Sequence, residues 1–378
     1  MQLLERAKAL EAEGRKIIHM EIGEPNFPSP APVLESAHQH LNCGDHFYTP
    51  STGNPALQAA LSDWYQYEYG LDVAAQRILI TPGTSGAFSL LYAVLLEAGE
   101  SVLLSDPGYP CQRNFIRLAG GEAINIPVGA ATKYHLSAAM LDQYWQTNTR
   151  AAVVINPSNP TGTMIDDKVL AALATTCRQR GGYLISDEIY HGLTYGIKAR
   201  CALEFDDQAI VVNGFSKRWA MTGWRVGWVI VPENLIDACR RVMQNIFIAA
   251  PTLSQHVGIA ALQAEAQTES MRCAYDERRR VLLRELPKLG FDIVIEPQGA
   301  FYIYANVSRL THDARQFCWD MLEHVGVAIT PGEDFGVHQC QTHVRFSYAA
   351  SLDDIHEGLD RMAAYVKNIC PDGVSDAT

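Results

Sequence analysis

The chain has 378 residues, of which 48% are hydrophobic, and its formal net charge at pH 7 is -12. The length exceeds that of most single domains, so it predicts two domains with ample apolar material for a large core. The acidic balance argues against nucleic acid or an anionic membrane as the main partner, because both bind concentrated Lys and Arg. A small-molecule substrate fits this composition better.

The N-terminal segment MQLLERAKALEAEGRK carries charges throughout and lacks the apolar core of a signal peptide. Leu3, Leu4, Ala7 and Leu10 fall on one face of an amphipathic helix. Nine cysteines are scattered without metal-ligand spacing, which is typical of reduced thiols and predicts no metal site. No apolar run approaches the roughly 20 residues that cross a bilayer. We therefore expect a soluble, cytoplasmic protein.

Six apolar or β-branched runs between residues 77 and 232 predict the strands of a large domain. They are RILIT, SVLLSD, AAVVIN, GYLISD, AIVVNGF and VGWVIV. Stretches of helical period, such as GAFSLLYAVLLEA and DKVLAALATTCRQR, separate most of these runs. This alternation predicts the α/β fold class, with a mostly parallel sheet that helices cover on both faces.

From about residue 275 the pattern changes to that of a smaller α+β domain. A charged helix, YDERRRVLLRELPKLG, precedes the strand candidates FDIVIEP, GAFYIYANV, GVAITPG and HVRFSYAA, and a final helix begins near Leu352. We expect a large domain over residues 30–275 and a small domain formed by residues 1–29 and 276–378.

Ligands of open α/β sheets bind beyond the carboxyl ends of the strands, so the residues after each strand candidate outline a site. The first run leads into PGTSGAF, a glycine turn that opens a helix near Ser85 and, with Gly83 and Thr84, suits a phosphate. The second run leads to Tyr109, whose ring can stack on a planar ligand. A simple turn or a core tyrosine would explain either feature by itself.

Three further runs end in polar residues. NPSNPTG follows the third run and is a rigid turn that admits cis X-Pro bonds and fixes Asn159. SDEIY ends the fourth run with Asp187 and Tyr190, although an acidic residue there is often only a helix cap. The fifth run ends at Lys217, and Arg225 begins the sixth. Together, the strand ends supply a phosphate cradle, an aromatic ring, an amide, a carboxylate with a phenol, and an amine.

This set of groups matches the needs of pyridoxal 5'-phosphate. The cofactor requires an amine for a Schiff base, a carboxylate for its ring nitrogen, donors to its phenolic oxygen and a phosphate cradle. An ordinary lysine pKa of about 10.4 would leave Lys217 protonated at neutral pH. We expect desolvation by Phe215, Trp219 and Trp224, together with the positive charge of Arg225, to lower this pKa.

Motifs along nearly the whole chain give it a resemblance to the class I and II aminotransferases of the aspartate aminotransferase superfamily, the fold type I pyridoxal phosphate enzymes. They are IGEPNFPSP, YTPSTGNPALQAAL, NPSNPTG, SDEIY, GFSKRWAMTGWRVGW, PGEDFG and VRFSYA. The resemblance implies a pyridoxal phosphate cofactor and transfer of an amino group from an L-amino acid to a 2-oxo acid by a ping-pong mechanism. It also implies a homodimer with active sites at the subunit interface.

The resemblance implies roles for single residues as well. Lys217 would form the Schiff base and move the proton, Asp187 would hold the ring nitrogen, and Tyr109 would stack on the ring. Tyr190 and Asn159 would bond the phenolic oxygen. The residues implied to contact the phosphate are Gly83, Thr84, Ser85, Ser216, Arg225 and, across the subunit interface, Tyr48. Those implied to contact the substrate are Arg345, Gly23 and Asn159.

One position departs from the family pattern. Gly214 lies three residues before Lys217, where several relatives carry a hydroxyl near the phosphate, and Ser216 is a partial substitute. Dicarboxylate-specific relatives carry a further basic residue, for which Arg15, Arg113 and Arg218 are only weak candidates. The aromatic residues that suggest apolar surroundings for the substrate side chain are Phe27, Tyr48, Phe301 and Phe335.

Three other interpretations compete with the aminotransferase. A cofactor-free structural relative is disfavoured, because such a protein would be expected to lose Lys217 or Asp187. A carbon-sulfur β-lyase on the same scaffold would share every cofactor residue, so product analysis separates the two. A ligand-sensing regulator with a DNA-binding domain is disfavoured by the acidic charge.

Overall fold

The computed structural model describes residues 2–44 and 46–369. Its α-helices are, in chain order, α1 (Gln2–Ala12), α2 (Ala31–Cys43), α3 (Pro55–Tyr69), α4 (Gly83–Leu95), α5 (Cys111–Leu118), α6 (Ala138–Tyr144), α7 (Asp167–Gln179), α8 (Glu233–Ile246), α9 (Thr252–Ala261), α10 (Glu265–Glu285), α11 (Ala314–Asp320) and α12 (Leu352–Ile369). The strands are β1 (Ile18–His19), β2 (Ile78–Thr81), β3 (Ser101–Asp106), β4 (Glu122–Pro127), β5 (Thr149–Ile155), β6 (Tyr183–Asp187), β7 (Ile210–Gly214), β8 (Gly227–Ile230), β9 (Tyr302–Asn306), β10 (Val327–Ala328), β11 (Thr330–Pro331) and β12 (His343–Ser347).

The central sheet has seven strands in the order β2-β8-β7-β6-β5-β3-β4. Strand β8 is antiparallel to both of its neighbours, whereas the other adjacent strands pair in parallel. All six predicted strand runs lie in this sheet. The predicted α/β class with a mostly parallel sheet is therefore confirmed.

Alternate strand residues point to opposite faces of the central sheet, and helices bury both of these faces. On one face, Leu79 and Val153 join a cluster with residues of α4, α5 and α8. On the other face, Ile80 and Val154 join a cluster with residues of α3, α7 and α9. The continuous Val, Ile and Leu runs of the sequence reflect this burial on both faces.

A third hydrophobic cluster surrounds two smaller sheets, in which β11, β12 and β9 pair antiparallel and β1 pairs in parallel with β10, and it extends to Tyr190 and Ala220. Leu3, Ala7 and Leu10 of α1 are buried in this cluster, as predicted, whereas Leu4 is only half-buried. Helix α10 runs through residues 275 and 276, where the sequence analysis placed the boundary. The division into residues 30–275 and the remainder stays a prediction.

Two strand assignments from the sequence differ from the structure. Strand β4 went unpredicted because it is a partly exposed edge strand with little apolar patterning. The predicted strand FDIVIEP forms only one bridge, between Asp292 and Asn306, and its Val294 is 56% exposed. An apolar run without a face to bury gains little from joining a sheet.

Within the described ranges, we find no helix with the length and apolar character needed to cross a membrane. The expected cytoplasmic location stays a prediction.

Candidate active site

The parallel arrangement brings five strand ends to one edge of the central sheet. Strands β3, β5, β6 and β7 are parallel, and β2 shares their direction because β8 is antiparallel to both β2 and β7. A cavity of about 290 Å³ opens at this edge. Its lining includes Gly23, Thr84, Tyr109, Asn159, Asp187, Tyr190, Lys217, Tyr302 and Arg345. Most of the residues predicted from separate strand ends thus meet in one cavity.

Lys217 lies three residues beyond β7 and is partly buried. Its Nζ donates a hydrogen bond of 2.6 Å to the carbonyl oxygen of Gly23. Desolvation lowers the pKa of Lys217 to about 8, with Glu24 opposing the shift and the guanidinium groups of Arg345 and Arg225 adding to it. An appreciable fraction of the amine is therefore neutral near pH 8, as a nucleophile or a base requires.

The surroundings of Lys217 differ from those that the sequence analysis named. Phe215 packs into the core, with its ring centroid 5.0 Å from that of Trp228, and Trp224 is half-exposed. Phe301, from the distant β9 region, places its ring centroid 6.0 Å from the lysine Nζ. Of the aromatic residues named from the sequence, Phe215 and Trp219 belong to the hydrophobic core beside the sheet and do not line the cavity.

Asp187, the last residue of β6, is a buried carboxylate that lines the cavity. Its Oδ1 accepts a hydrogen bond of 3.2 Å from the backbone N–H of Ile189. Burial raises the pKa of Asp187 to about 7, although the Ile189 hydrogen bond and the charge of Lys217 act in the opposite direction. A carboxylate held in this way would be stabilised in its charged form by a cation bound in the cavity.

Tyr190, which follows β6, and Tyr302, the first residue of β9, meet at the cavity. Their hydroxyl oxygens are 2.8 Å apart, and both side chains are buried. Burial raises the pKa of Tyr190 well above its ordinary value, so the phenol stays protonated. A Cβ at Gly23 would come within 2.4 Å of the Tyr302 hydroxyl oxygen, which explains why this position is glycine. Its predicted role in substrate approach stays a prediction.

The turn that carries Asn159 is held at both ends. The Asn156–Pro157 and Asn159–Pro160 bonds are cis, and Asn156 Oδ1 accepts a hydrogen bond of 3.1 Å from the backbone N–H of Ile165. Asn159 Oδ1 accepts a hydrogen bond of 3.0 Å from Arg345 Nη1. The Asn159 amide group is therefore left with its N–H donors for a partner in the cavity.

Arg345, on β12, is a buried cation in a rigid setting. Its guanidinium lies between the rings of Tyr302, at 4.4 Å, and Phe335, at 4.7 Å. Its Nη2 donates to the carbonyl oxygen of Glu21. Its Nε is buried and has no hydrogen-bond partner among the described residues. A buried guanidinium with an unmet donor beside a cavity is suited to a carboxylate.

The start of α4 is the place where the sequence predicts an anion cradle. Gly83 has a φ of +70°, and a Cβ there would lie 2.6 Å from Arg225 Nη2. A Cβ at Gly227, where β8 begins, would lie 3.1 Å from the backbone nitrogen of Thr84. The two glycines thus let the guanidinium and β8 pack closely against the helix N-terminus, where free amides and a cation favour an anion.

Other predicted phosphate residues lie outside the cavity lining. Ser85 is exposed and Ser216 is buried, while Tyr48 is 80% exposed. Gly214 pairs with Gly227 between β7 and β8, and a Cβ at Gly214 would lie 3.1 Å from the Gly227 Cα. A side chain at Gly214 would therefore be tightly packed against β8.

Tyr302 was not predicted from the sequence, yet it lines the cavity, forms a hydrogen bond with Tyr190 and stacks on Arg345. The adjacent Phe301 was predicted to lie near the substrate instead, because the run FYIY does not show which of its alternating residues face a ligand. In a strand, successive side chains point to opposite faces.

Asp106, at the end of β3, was also missed. Its carboxylate accepts backbone hydrogen bonds from Val337, at 3.0 and 3.1 Å, and from His338, at 3.3 Å. A Cβ at Gly336 would lie 1.7 Å from Asp106 Oδ1, so the contact requires glycine. This carboxylate ties the loop after Phe335 to the strand end beside Tyr109.

Comparisons with known proteins agree with this geometry. A family model described as aminotransferase class I and II matches residues 15–362. The valine–pyruvate aminotransferase of Mycobacterium tuberculosis is 38% identical, over 93% of this chain and 91% of the relative. The (5-formylfuran-3-yl)methyl phosphate transaminase of Methanocaldococcus jannaschii is 37% identical, over 97% and 96% of the two chains.

Solved structures show the same similarity. The crystal structure of an aminotransferase from Mycobacterium tuberculosis superposes with a TM-score of 0.94 at 37% identity, over 97% of this chain and 96% of that one. The aspartate aminotransferase from Thermus thermophilus with maleate superposes with a TM-score of 0.91 at 32% identity, over 96% and 95%. These matches confirm the predicted fold type I class, and the chain belongs to the aminotransferase class I and II family.

Proposed function

We propose that this aminotransferase uses pyridoxal 5'-phosphate to move an amino group from an L-amino acid to a 2-oxo acid, by a ping-pong mechanism in which Lys217 is the covalent lysine. The observation that carries the proposal is one cavity that joins a lysine of lowered pKa, a buried carboxylate and a buried guanidinium. When bound, the cofactor supplies an aldehyde for covalent capture of an amine and an electron sink for the substrate Cα.

The residues present fit this cofactor. Asp187 is a buried carboxylate with room beside it for a protonated ring nitrogen. Gly83 and Arg225 form a cradle for the phosphate, in which an added Cβ would clash. Thr84 lines the cavity on the same side, and Ser85 and Ser216 are proposed as outer phosphate contacts. Tyr109 lines the cavity where an aromatic ring can stack on the cofactor.

The remaining residues bind substrate and handle protons. Arg345 grips the α-carboxylate, since its planar guanidinium is held between two rings and offers paired donors. Asn159 and Tyr190 would donate hydrogen bonds to the phenolic oxygen of the bound cofactor. The Lys217 amine would hold the cofactor covalently and, once freed by the incoming amino acid, would move the proton between the substrate Cα and the C4' carbon. The Gly23 carbonyl oxygen holds the amine in place beforehand.

A half-reaction tests the proposal against a carbon-sulfur β-lyase, which would use the same cofactor residues. With an L-amino acid donor and no acceptor, we expect about one equivalent of 2-oxo acid per active site and no free ammonia, because the amino group stays on the enzyme. Adding a 2-oxo acid should then restore continuous turnover. The measurement is rapid-quench quantification of 2-oxo acid and ammonia. Sustained release of pyruvate and ammonia from cysteine without an acceptor would contradict the aminotransferase assignment.

We also propose that the active unit is a homodimer in which Tyr48 reaches the phosphate of the other subunit. Tyr48 is 80% exposed and the adjacent Phe47 is 79% exposed, an unusual amount of aromatic surface for one short segment. The Phe47 carbonyl oxygen accepts a hydrogen bond of 2.7 Å from Thr252 Oγ1, which ties this segment to α9.

Tyr48→Phe is expected to weaken cofactor affinity by about 10-fold, since one hydrogen bond to a charged group is lost. Tyr67→Phe is the matched control, because Tyr67 is 74% exposed on α3 and has no proposed role. Affinity is measured by fluorescence titration of cofactor-free protein, and sedimentation equilibrium gives the subunit number. A monomeric active protein, or equal effects of both substitutions, would argue against this interface.

A further inference from the structure

We propose that an apolar chamber beside the cavity receives the substrate side chain and selects large apolar amino acids, such as phenylalanine, over aspartate. The chamber is formed by Leu3, Leu4, Ile22, Pro331 and Phe335. This inference rests on the proposed aminotransferase function and names its substrate class.

The chamber is placed to receive a substrate side chain. It shares Gly23, Tyr109 and Arg345 with the cavity that holds Lys217. An amino acid whose α-carboxylate lies on Arg345 and whose Cα lies near Lys217 therefore has the chamber within reach of its side chain. The chamber volume is about 320 Å³, whereas an apolar cavity of about 150 Å³ is enough to hold benzene.

The chemistry of the chamber favours an apolar side chain. Leu3 and Leu4 come from α1, Pro331 ends β11 and Phe335 lies four residues further on, so both aliphatic and aromatic groups line the chamber. Burying a large apolar side chain among them is favourable by the hydrophobic effect.

The charges around the chamber disfavour a second carboxylate. Arg345 is the only basic residue in its described lining, and it is already committed to the α-carboxylate, whereas Glu21 and Asp334 are acidic. The desolvation free energy of a buried carboxylate is not offset when no cation lies beside it.

The basic residues considered from the sequence lie elsewhere. Arg15 donates a hydrogen bond of 2.8 Å to the carbonyl oxygen of Glu323, and Arg218 forms an ion pair of 3.1 Å with Glu68. Arg113 donates to the carbonyl oxygen of Asp334 over 3.0 Å, and it lines a separate small cavity rather than the chamber. None of the three lines the chamber of its own subunit.

The first test compares donors. With a saturating 2-oxo acid, we expect kcat/KM for phenylalanine to exceed that for aspartate by at least about 100-fold. Calorimetry of the holoenzyme gives a readout without turnover, in which 3-phenylpropanoate should bind at least about 10-fold more tightly than succinate. Equal or better kinetics and binding for aspartate and succinate would overturn the chamber assignment. Absence of turnover with every donor would instead contradict the proposed function. The relative affinities for 3-phenylpropanoate and succinate would still test the chamber.

The second test places a charge in the chamber. Leu4→Asp should lower the phenylalanine-to-alanine ratio of kcat/KM by at least about 10-fold, because alanine does not reach the chamber. Leu4 is half-buried in the first turn of α1, where an acidic side chain favours the helix dipole, so folding should tolerate the change. Leu34→Asp is the matched control, since Leu34 is 43% exposed in the first turn of α2. An unchanged ratio in folded Leu4→Asp, or the same change in the control, would overturn the proposal.

Discussion

Lys217→Ala is expected to lower kcat by at least about 10⁴-fold with every amino donor. In the proposed mechanism, the substitution removes both the covalent link to the cofactor and the base that moves the Cα proton, and each of these contributions is large. Steady-state kinetics with a donor and a 2-oxo acid measures the effect. Lys168→Ala is the control, because Lys168 is an exposed lysine on α7 away from the cavity. Turnover close to wild type in Lys217→Ala would refute the central assignment.

A chemical readout separates loss of catalysis from loss of folding in this variant. Borohydride reduction should attach the cofactor to the peptide that contains Lys217 in the wild-type protein, and to no peptide in Lys217→Ala. The variant should still bind the cofactor weakly, because Asp187 and the cradle at Gly83 and Arg225 are unchanged. Attachment of the cofactor to a different lysine in the wild-type protein would contradict the assignment of Lys217 as the covalent lysine.

Asp187→Asn is expected to lower kcat by about 10³-fold while changing KM by less than about 3-fold. A neutral amide does not hold the ring nitrogen protonated, so the cofactor withdraws electrons poorly in the transition state, whereas Arg345 still binds the substrate. Asp237→Asn, at an exposed carboxylate on α8, is the control. Equal effects on kcat and KM would show that Asp187 acts in binding rather than on the ring nitrogen.

Although Asp187→Asn is expected to lower kcat, it should stabilise the ligand-free protein against unfolding. Burial raises the pKa of Asp187 from 3.8 to about 7, so its charged form costs stability. This cost is absent below pH 3.8, grows as the pH rises towards 7 and is complete above 7. Asp187→Asn should therefore raise the free energy of unfolding at pH 8, by at most about 4 kcal/mol, and have little effect at pH 4. Urea denaturation at the two pH values measures this difference.

Much of the sheet could be predicted because its signals are local. Residues 101–106 and 210–214 are apolar runs whose burial on both faces needs no distant information. The glycine turn at Gly83 and the Asn-Pro turns around Asn159 also carry their backbone preferences in the sequence. Reading the residue after each strand end then assembled most of the site, since parallel strands end at one edge.

The apolar and electrostatic surroundings of the site could not be read locally. Phe301 and Arg345, which influence Lys217, lie far from it in the chain and reach the cavity only through the packing of β9 and β12. The contact between Asp106 and the loop at Gly336 likewise joins residues 230 positions apart along the chain. Such contacts depend on how the small antiparallel sheet packs against the central sheet, and no local pattern encodes that packing.

The positions of the groups in the proposed site follow from local sequence, because the lysine, the carboxylate, the amide and the glycine turn each lie at a strand end or a turn with its own physical signal. Their environment depends instead on tertiary packing. It buried Asp187 enough to raise its pKa, set the Arg345 guanidinium between two rings, and opened an apolar chamber between α1 and Phe335. Reactive groups follow local backbone geometry, whereas desolvation and specificity arise from surfaces that meet only when the chain is folded.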